Sequence, residues 1–587
     1  MMSEALNAGS MYGLHPIDIA AVVLYLVGIT ALGVWMARKV RTTGDFFMPR
    51  RFGKTMMVTF AFGAGTASDQ AVSVAAETFR SGLSGIWWQW IWLPATPFYW
   101  LIAPIMRRFR AVTTADVYTL RYNHSVAVLF AIVGIAGLAV KIGLLLKGSG
   151  VMIDSCTGGM IPAEWAIAVI TVLFVVYGTA GGLAAAIVTD FFQGILTVLF
   201  SFMLLPFVLH AVGGMHGIRE TIRNPEMLSL VVPGEIGIFF VAMFAAQALI
   251  GIVAQPFIMS VCAAGRTEMD GRVGFMVGNV VKRICTIAWS LTALAAVAWY
   301  MQRGTPLSEI TPDHVYGDVA REFLPGVMPG LLGIFLASLL ASVMSSCDAM
   351  MVSSSALFTE NMYKPLLPGR TDRHYVFVGR LAAVGAVAGG IVFAYRVPDV
   401  VTALMIWFRI APMMGIAFWL GLFWRRATPA GAWAVTLTGF ACWFLTTQSF
   451  FIGFVARLPF AEALQLIWQA PGKAPAIYEP WSIVFYTATA LATGIFVSLL
   501  TRPMPEERLD RFYTLTRTPI VPGERVTESC RLPEGVAPAR RPMLVTAFGL
   551  EIPVPSRTSV LGFLAGWLAV ALLVGGFLLI IRTGHRL

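Results

Sequence analysis

FAFGAGTASDQAVSVAAETF, residues 60–79, is the stretch whose reading decides the fold. It is as long as the roughly 20 residues needed to cross a bilayer. Yet it carries Gly63 and Gly65, then small polar residues, and a carboxylate at Asp69. Inside hydrocarbon an irregular backbone is tolerated only where protein or a water-filled cavity surrounds it. A second interrupted span, AAQALIGIVAQPFIM at 245–259, holds Gly251 and then Gln255-Pro256. These are the first spans of two successive groups of five, 57–210 and 236–424. Paired interruptions at equivalent positions point to an inverted-repeat transporter with its site at midplane. Close helix packing is the other use of such glycines, and stays open here.

Outward from these stretches the chain is apolar almost end to end. Of 587 residues 57% are hydrophobic and 12% charged, with mean hydropathy +0.76, where a soluble domain carries about 25% charged residues. A soluble enzyme is excluded. Apolar runs near 17–37, 57–80, 85–106, 126–149, 163–179, 185–210, 236–261, 275–301, 327–360, 375–395, 399–424, 429–452, 481–501 and 558–581 give fourteen expected spans. The net charge of +11 sorts by side. The connections at 38–56, 107–125, 262–274 with Lys282 and Arg283, 361–380, 425–428 and 502–557 hold 29 of the 42 Lys and Arg. The positive-inside bias makes that side cytoplasmic and turns both termini outward. The charge is thus a topology signal and implies no nucleic-acid partner. Six single cysteines with no regular spacing suggest neither a disulfide framework nor a zinc site.

Ionisable groups inside spans are costly, about 2.5–3.5 kcal/mol each on insertion scales. Asp69, Lys141, Lys147, Asp190, Asp348 and Arg409 all fall there. In SLLASVMSSCDAMMVSSSALF, from Ser338, hydroxyls recur within an apolar helix. Ser345 and Ser346 could offer hard oxygens to a dehydrated sodium ion, with a carbonyl of a broken helix opposite. Such serines also bond back to their own helix.

Several segments resemble the sodium:solute symporters, a family that includes transporters for proline, pantothenate, galactose and sialic acid. They are YGTAGGLAAAIVTDFFQG from Tyr177, GLFWRRATPAGAW from Gly421, AQPFIM from Ala254 and ASVMSSCDAMMVSSSALFTENMYK from Ala341. TGDFFMPRRFGK and TTADVYTLRYN also fit. The resemblance spans roughly residues 17–453. It implies an all-α membrane protein with a LeuT-like core of ten helices in two inverted repeats, preceded by one extra helix and followed by three. On that plan 1–56 holds the outward tail, extra helix and a cytoplasmic loop. The repeats fall at 57–213 and 235–428, two peripheral helices at 429–501, a cytoplasmic linker at 502–557, and the last helix with an outward C-terminus at 558–587.

Carried over residue by residue, the resemblance places a sodium site on the carbonyls of Ala67, Gln70 and Ser342 and the hydroxyls of Ser345 and Ser346. Asp69 matches a carboxylate needed for sodium coupling. Asp190 matches an aspartate that serves a second sodium in sialic-acid-type members, but the two later serines of that site are Asp348 and Ala349 here. Two adjacent carboxylates in low dielectric hold a cation or share a proton, so Asp190 and Asp348 form a candidate second ion or proton site.

Substrate is less legible. AQALIGIVAQP lacks the aromatic residues of proline-type members, which argues against proline. Lys147 and Arg409 lie on helices that line the cavity in this fold and favour an anionic solute, a carboxylate or acidic sugar; alternatively they neutralise Asp69 or Asp348. Gln255, Trp88 and Gln89 are further cavity candidates. The cluster at Trp87, Trp88, Trp90 and Trp92 reads first as an interface belt, otherwise as a sugar-stacking surface. Glu77 and Arg80 form either a gate or a simple pair.

The expected activity is sodium-coupled import of a small organic solute into the cell across its inner membrane, with no organic cofactor. A sodium-independent facilitator is the nearest alternative. An integral-membrane enzyme would need a catalytic histidine or an acid cluster near one face, and neither is visible.

Overall fold

A computed structural model describes residues 13–38, 46–232, 236–469, 474–521, 523–524, 526 and 528–582. The outward placement of the termini falls on residues 1–12 and 583–587, outside the described residues. So do the start of the TGDFFMPRRFGK motif and the side chains of Tyr177, Thr179 and Ala180 in the motif from Tyr177.

Apolar composition drives helix after helix. The extra helix α1 (Pro16–Ala37) is followed by α2 (Lys54–Gly63) and α3 (Ser68–Ser81), two halves of one interrupted rod. Tight turns over 82–95 lead into α4 (Thr96–Arg108), then α5 (Thr114–Arg121) and α6 (His124–Cys156). Next comes α7 (Ala163–Met203), kinked at Gly182, whose φ of +60° suits a residue without Cβ. The second group opens with another broken rod, α8 (Ile238–Ile252) and α9 (Pro256–Ala263), bent by 70°. It continues with α10 (Glu268–Gln302), α11 (Leu331–Phe358), α12 (Asp372–Arg396) and α13 (Val400–Phe423). The chain closes with α14 (Pro429–Thr446), α15 (Glu479–Leu500), α16 (Glu506–Arg517) and α17 (Arg557–Arg582).

Among the described residues nine helices are long and apolar enough to cross a membrane, and eleven if each bent pair counts as one span. The expected fourteen is therefore not reached on length and hydropathy alone. The other three expected spans, 57–80, 85–106 and 163–179, fall on rods that are broken, turned or short: α2 with α3, the 82–108 stretch, and the apolar helix over Ala163–Val176. Breaks cost a helix its continuous apolar window, which is why none of these three stretches passes as a span by length and hydropathy.

Lys282 and Arg283, counted with the connection at 262–274 although inside the expected span 275–301, do not sit at its edge: α10 begins at Glu268 and carries both inward, 7% and 2% exposed.

At the arginine-rich end the 502–557 segment is docked onto the helices. The pattern EERLDRFYTLTRT does form a helix, α16. Beyond it, Arg110 pairs through two nitrogens with Glu524 at 2.7 and 2.8 Å, both side chains buried. Arg108 pairs likewise with Glu268, which also accepts the Ile520 N–H at 3.0 Å. Arg425 binds Glu506, Asp510 and Glu551.

Candidate functional site

The site is built where the first broken rod meets α11, α7 and α6. α2 stops at Gly63; Ala67 is fully extended (φ −147°, ψ −179°) and α3 resumes at Ser68. Glycine and small polar residues are poor at sustaining a helix, so the break is written into GAGTASD. Four buried atoms on this stretch lack a hydrogen-bond partner among the described residues: Thr66 Oγ1, Ser68 Oγ, Asp69 Oδ1 and Gln70 Oε1. Buried polar groups are normally satisfied, so this concentration is a mark of a place that takes a polar ligand or ion.

α11 brings its hydroxyls to the break. Ser346 Oγ donates to the Gly63 carbonyl at 2.9 Å, and Ser345 Oγ donates to Asp190 Oδ1 at 2.5 Å. Ser345 Oγ lies 2.8 Å from where a Cβ on Gly63 would sit. Both serines are fully buried and face protein, not lipid. Ser342 Oγ donates to Leu339 of its own helix. The Ala67 carbonyl accepts the Gln70 N–H at 3.0 Å, and the Gln70 carbonyl accepts Ser73 Oγ at 3.1 Å. Each carbonyl keeps a second lone pair, and each serine that donates keeps its own. The hydrogen bonds drawn here therefore leave a lone pair open on each of these oxygens.

Charge is arranged tightly around the break. Lys141 of α6, not Lys147 or Arg409, pairs with Asp69: Nζ to Oδ2 is 2.7 Å, at 2% and 0% side-chain exposure. The same ammonium lies 4.5 Å from the centre of the Trp407 ring. From α10, Lys282 Nζ comes within 2.7 Å of a Cβ position on Gly65, and no acidic side chain among the described residues pairs with it. Asp190 and Asp348 are buried on α7 and α11, with Asp348 Oδ1 against Gly178. Tyr25 of α1 reaches the same region, its hydroxyl accepting from Gln193 Nε2 at 2.9 Å, one turn beyond Asp190.

The second break faces a different environment. Gln255 lines two water-sized cavities, about 20 and 10 Å³, that share Trp407 and Ala411. Phe257, which lines the larger one, also approaches Gly65. The remaining cavity candidates scatter. Arg409 turns away, to a two-pronged pair with Glu479 of α15 at 2.9 and 2.5 Å. Lys147 is half-buried with no ion pair among the described residues. Trp88 packs edge-on against Phe240 and Phe244, and the Gln89 carbonyl accepts from Arg283. Trp88, Trp90 and Trp92 are all under 10% exposed. The cluster is therefore packing, not an interface belt, because α8, α10, α13 and α17 cover it. Glu77 and Arg80 pair with each other at 2.6 Å.

Sequence reasoning missed Lys282, Tyr25 and Glu479, and gave no role to Gln193, although it stands in the motif from Tyr177. For Lys282 a signal existed: a lysine continuous with the helical run that starts at the Thr267–Asp270 capping box. For Tyr25 and Glu479 no local signal exists.

Comparison with known proteins gives a consistent picture. The pattern shared by the sodium:solute symporter family matches residues 46–439. The chain is 24% identical over 455 residues to a sodium/pantothenate symporter of Haemophilus influenzae, covering 73% of this chain and 90% of that protein. It is 25% identical over 539 residues to a sodium/glucose cotransporter of Vibrio parahaemolyticus, covering 84% and 91%. Among solved structures, a Na+-coupled sialic acid symporter in a substrate-bound outward-open state aligns with TM-score 0.64 at 16% identity, covering 84% of this chain and 99% of that one. The fold is the LeuT-like one that the two broken rods imply.

Proposed function

The chain belongs to the sodium:solute symporter family, and from that premise we infer that it couples sodium moving down its gradient to the import of a small organic solute. One observation carries the reading: hydroxyls of α11 meet the break between α2 and α3, beside four unsatisfied polar atoms. Sodium there takes the carbonyls of Ala67, Gln70 and Ser342 and the lone pairs of Ser345 and Ser346. It joins the broken rod to α11 and stabilises the outward-open form. Substrate then permits α2–α4 and α8–α10 to rock against the rest, with the arginine-rich end facing the cytoplasm. By linkage, substrate must tighten sodium binding by the factor with which sodium tightens substrate.

Asp190 and Asp348 provide for a second sodium or a shared proton, since both cannot stay charged cheaply at close range. Asp348→Asn should change the sodium stoichiometry or the pH dependence of uptake; if both stay as they were, the pair has no coupling role.

The transported solute is anionic, a carboxylate or acidic sugar. Arg409 no longer supports this, because Glu479 neutralises it. Lys282 does: it is a buried lysine with no ion pair among the described residues, near Phe257 of the Gln255 cavity. A buried ammonium without a close partner is strongly unfavourable, and a substrate carboxylate would allow it to hold its charge.

The test is thermal unfolding of the purified protein in sodium or potassium chloride, with and without carboxylates, sugars and amino acids. Sodium-specific stabilisation that grows with an anionic solute is expected. A solute that stabilises equally in both salts would identify a facilitator, and a neutral solute that binds best would remove the anionic assignment.

A further inference from the structure

Away from both helix breaks, a groove of about 910 Å³ runs along the flank of the bundle. Its walls include Ile105 of α4, Ile250 of α8, Trp419 of α13 and Leu491 of α15, and Phe548 and Leu550 of the linker close one end. The volume lies in the range of ligand sites, about 300–1,000 Å³. Its chemistry is one-sided. Only three lining residues have polar side-chain atoms, and each is already engaged: Trp419 Nε1 donates to the Leu249 carbonyl, Trp424 Nε1 to the Phe548 carbonyl, and Thr487 Oγ1 to Ile483. Water gains no hydrogen bond from these walls, and apolar cavities of this kind stay dry. The groove lies among membrane-spanning helices, so the medium at its side is hydrocarbon.

The closed end has the character of a headgroup zone. Phe548 is 94% exposed and sits at φ +56°, a left-handed conformation that non-glycine residues adopt reluctantly. Backbone bonds hold it there: Arg425 N–H to the Gly549 carbonyl and Glu551 N–H to the Phe423 carbonyl, both 2.8 Å. A large exposed ring beside Trp424 matches the aromatic enrichment at membrane–water interfaces. At this same end Arg426 donates to the carbonyls of Leu499 and Thr501. No acidic side chain among the described residues pairs with it, whereas neighbouring Arg425 binds three.

We propose that this groove holds the acyl chains of an anionic phospholipid, with the phosphate at Arg426. An apolar slot with saturated walls selects hydrocarbon. A guanidinium group without an acidic partner at its aromatic end selects the negative headgroup over a zwitterionic one. The assignment does not depend on which solute is carried.

The test uses full-length protein in phosphatidylcholine vesicles containing brominated-chain phosphatidylglycerol or brominated-chain phosphatidylcholine. The fluorescence of Trp419 and Trp424 is taken as the difference between the unaltered protein and the double variant Trp419→Phe/Trp424→Phe. Half-quenching is expected at about fivefold lower content of the anionic lipid, the preference that one basic residue at a membrane surface supplies. Arg426→Gln should bring the two lipids closer together. Ala488→Phe, which fills the groove from an exposed position on α15, should abolish the quenching. Thermal unfolding of each variant checks that it folds. Equal quenching by both lipids, untouched by Ala488→Phe, means ordinary boundary lipid and overturns the proposal. Loss of all quenching, with a covalent dimer after cross-linking through α15, assigns the groove to a second copy of the chain and overturns it too.

Discussion

The two broken rods are alike in backbone and opposite in surroundings. Between α2 and α3, the break is crowded with charge and unsatisfied oxygens: Asp69 with Lys141, Lys282 beside Gly65, and two serines arriving from α11. Between α8 and α9, the break presents one amide, Gln255, to small cavities walled by Trp407, Phe257 and aliphatic side chains. The same interruption is thus used once to hold charge and once to shape a space. Whether a break binds an ion depends on which helices are packed against it, and the broken strand of backbone alone does not decide it.

The largest test of this contrast is Lys141→Met. It strands Asp69 in a fully buried position, and breaking a buried pair costs about 3–5 kcal/mol. The variant should unfold far below the parent temperature, and Asp69→Asn/Lys141→Met should recover most of the loss. If Gln255→Leu proves equally damaging, the contrast between the breaks is wrong. Next is Ser345→Ala/Ser346→Ala. At sodium one hundred times its dissociation constant the parent gains about 2.7 kcal/mol, and in this variant thermal unfolding should no longer respond to sodium. A smaller effect is expected for Gln255→Leu. Losing one hydrogen bond of about 0.5–1.5 kcal/mol should weaken solute binding up to about tenfold while the response to sodium alone persists. The smallest belongs to Glu479→Gln. The Arg409 pair is part-exposed and lies outside both breaks, so the cost should be about 1 kcal/mol or less, with sodium and solute affinities unchanged.

How much of this was legible follows from the range of the interactions. The breaks are local: Gly63, Gly65 and Gln255-Pro256 announce them within a few residues. The serine face of α11 is nearly as local, because hydroxyls in an apolar run have few uses. Partner choice is not local. Lys147 and Arg409 read as possible partners of Asp69, and Lys141 was not among them; only the rotation of α6 decides that Lys141 points at it. Lys282 read as a flanking charge because a Lys-Arg pair at the start of an apolar run usually sits at the membrane edge, yet α10 starts well before it at Glu268. The tryptophans near residue 90 show the same limit. Their spacing suits a belt, and only the arrival of Phe240, Phe244 and Phe577 turns it into a packed cluster.

The pairing of Arg110 with Glu524 has a consequence for how the molecule is made. The two are 414 positions apart, so during synthesis the turn after α4 stands without its anion until nearly all the remaining helices have left the ribosome. Proteins of this size assemble segment by segment as they emerge. The early half must therefore wait, inserted but unsealed at one end, for a late strip of polypeptide to arrive. A stop codon placed shortly before Glu524 would remove only the last helix and its approach, yet it would strip the final clamp from the part of the protein that was made first.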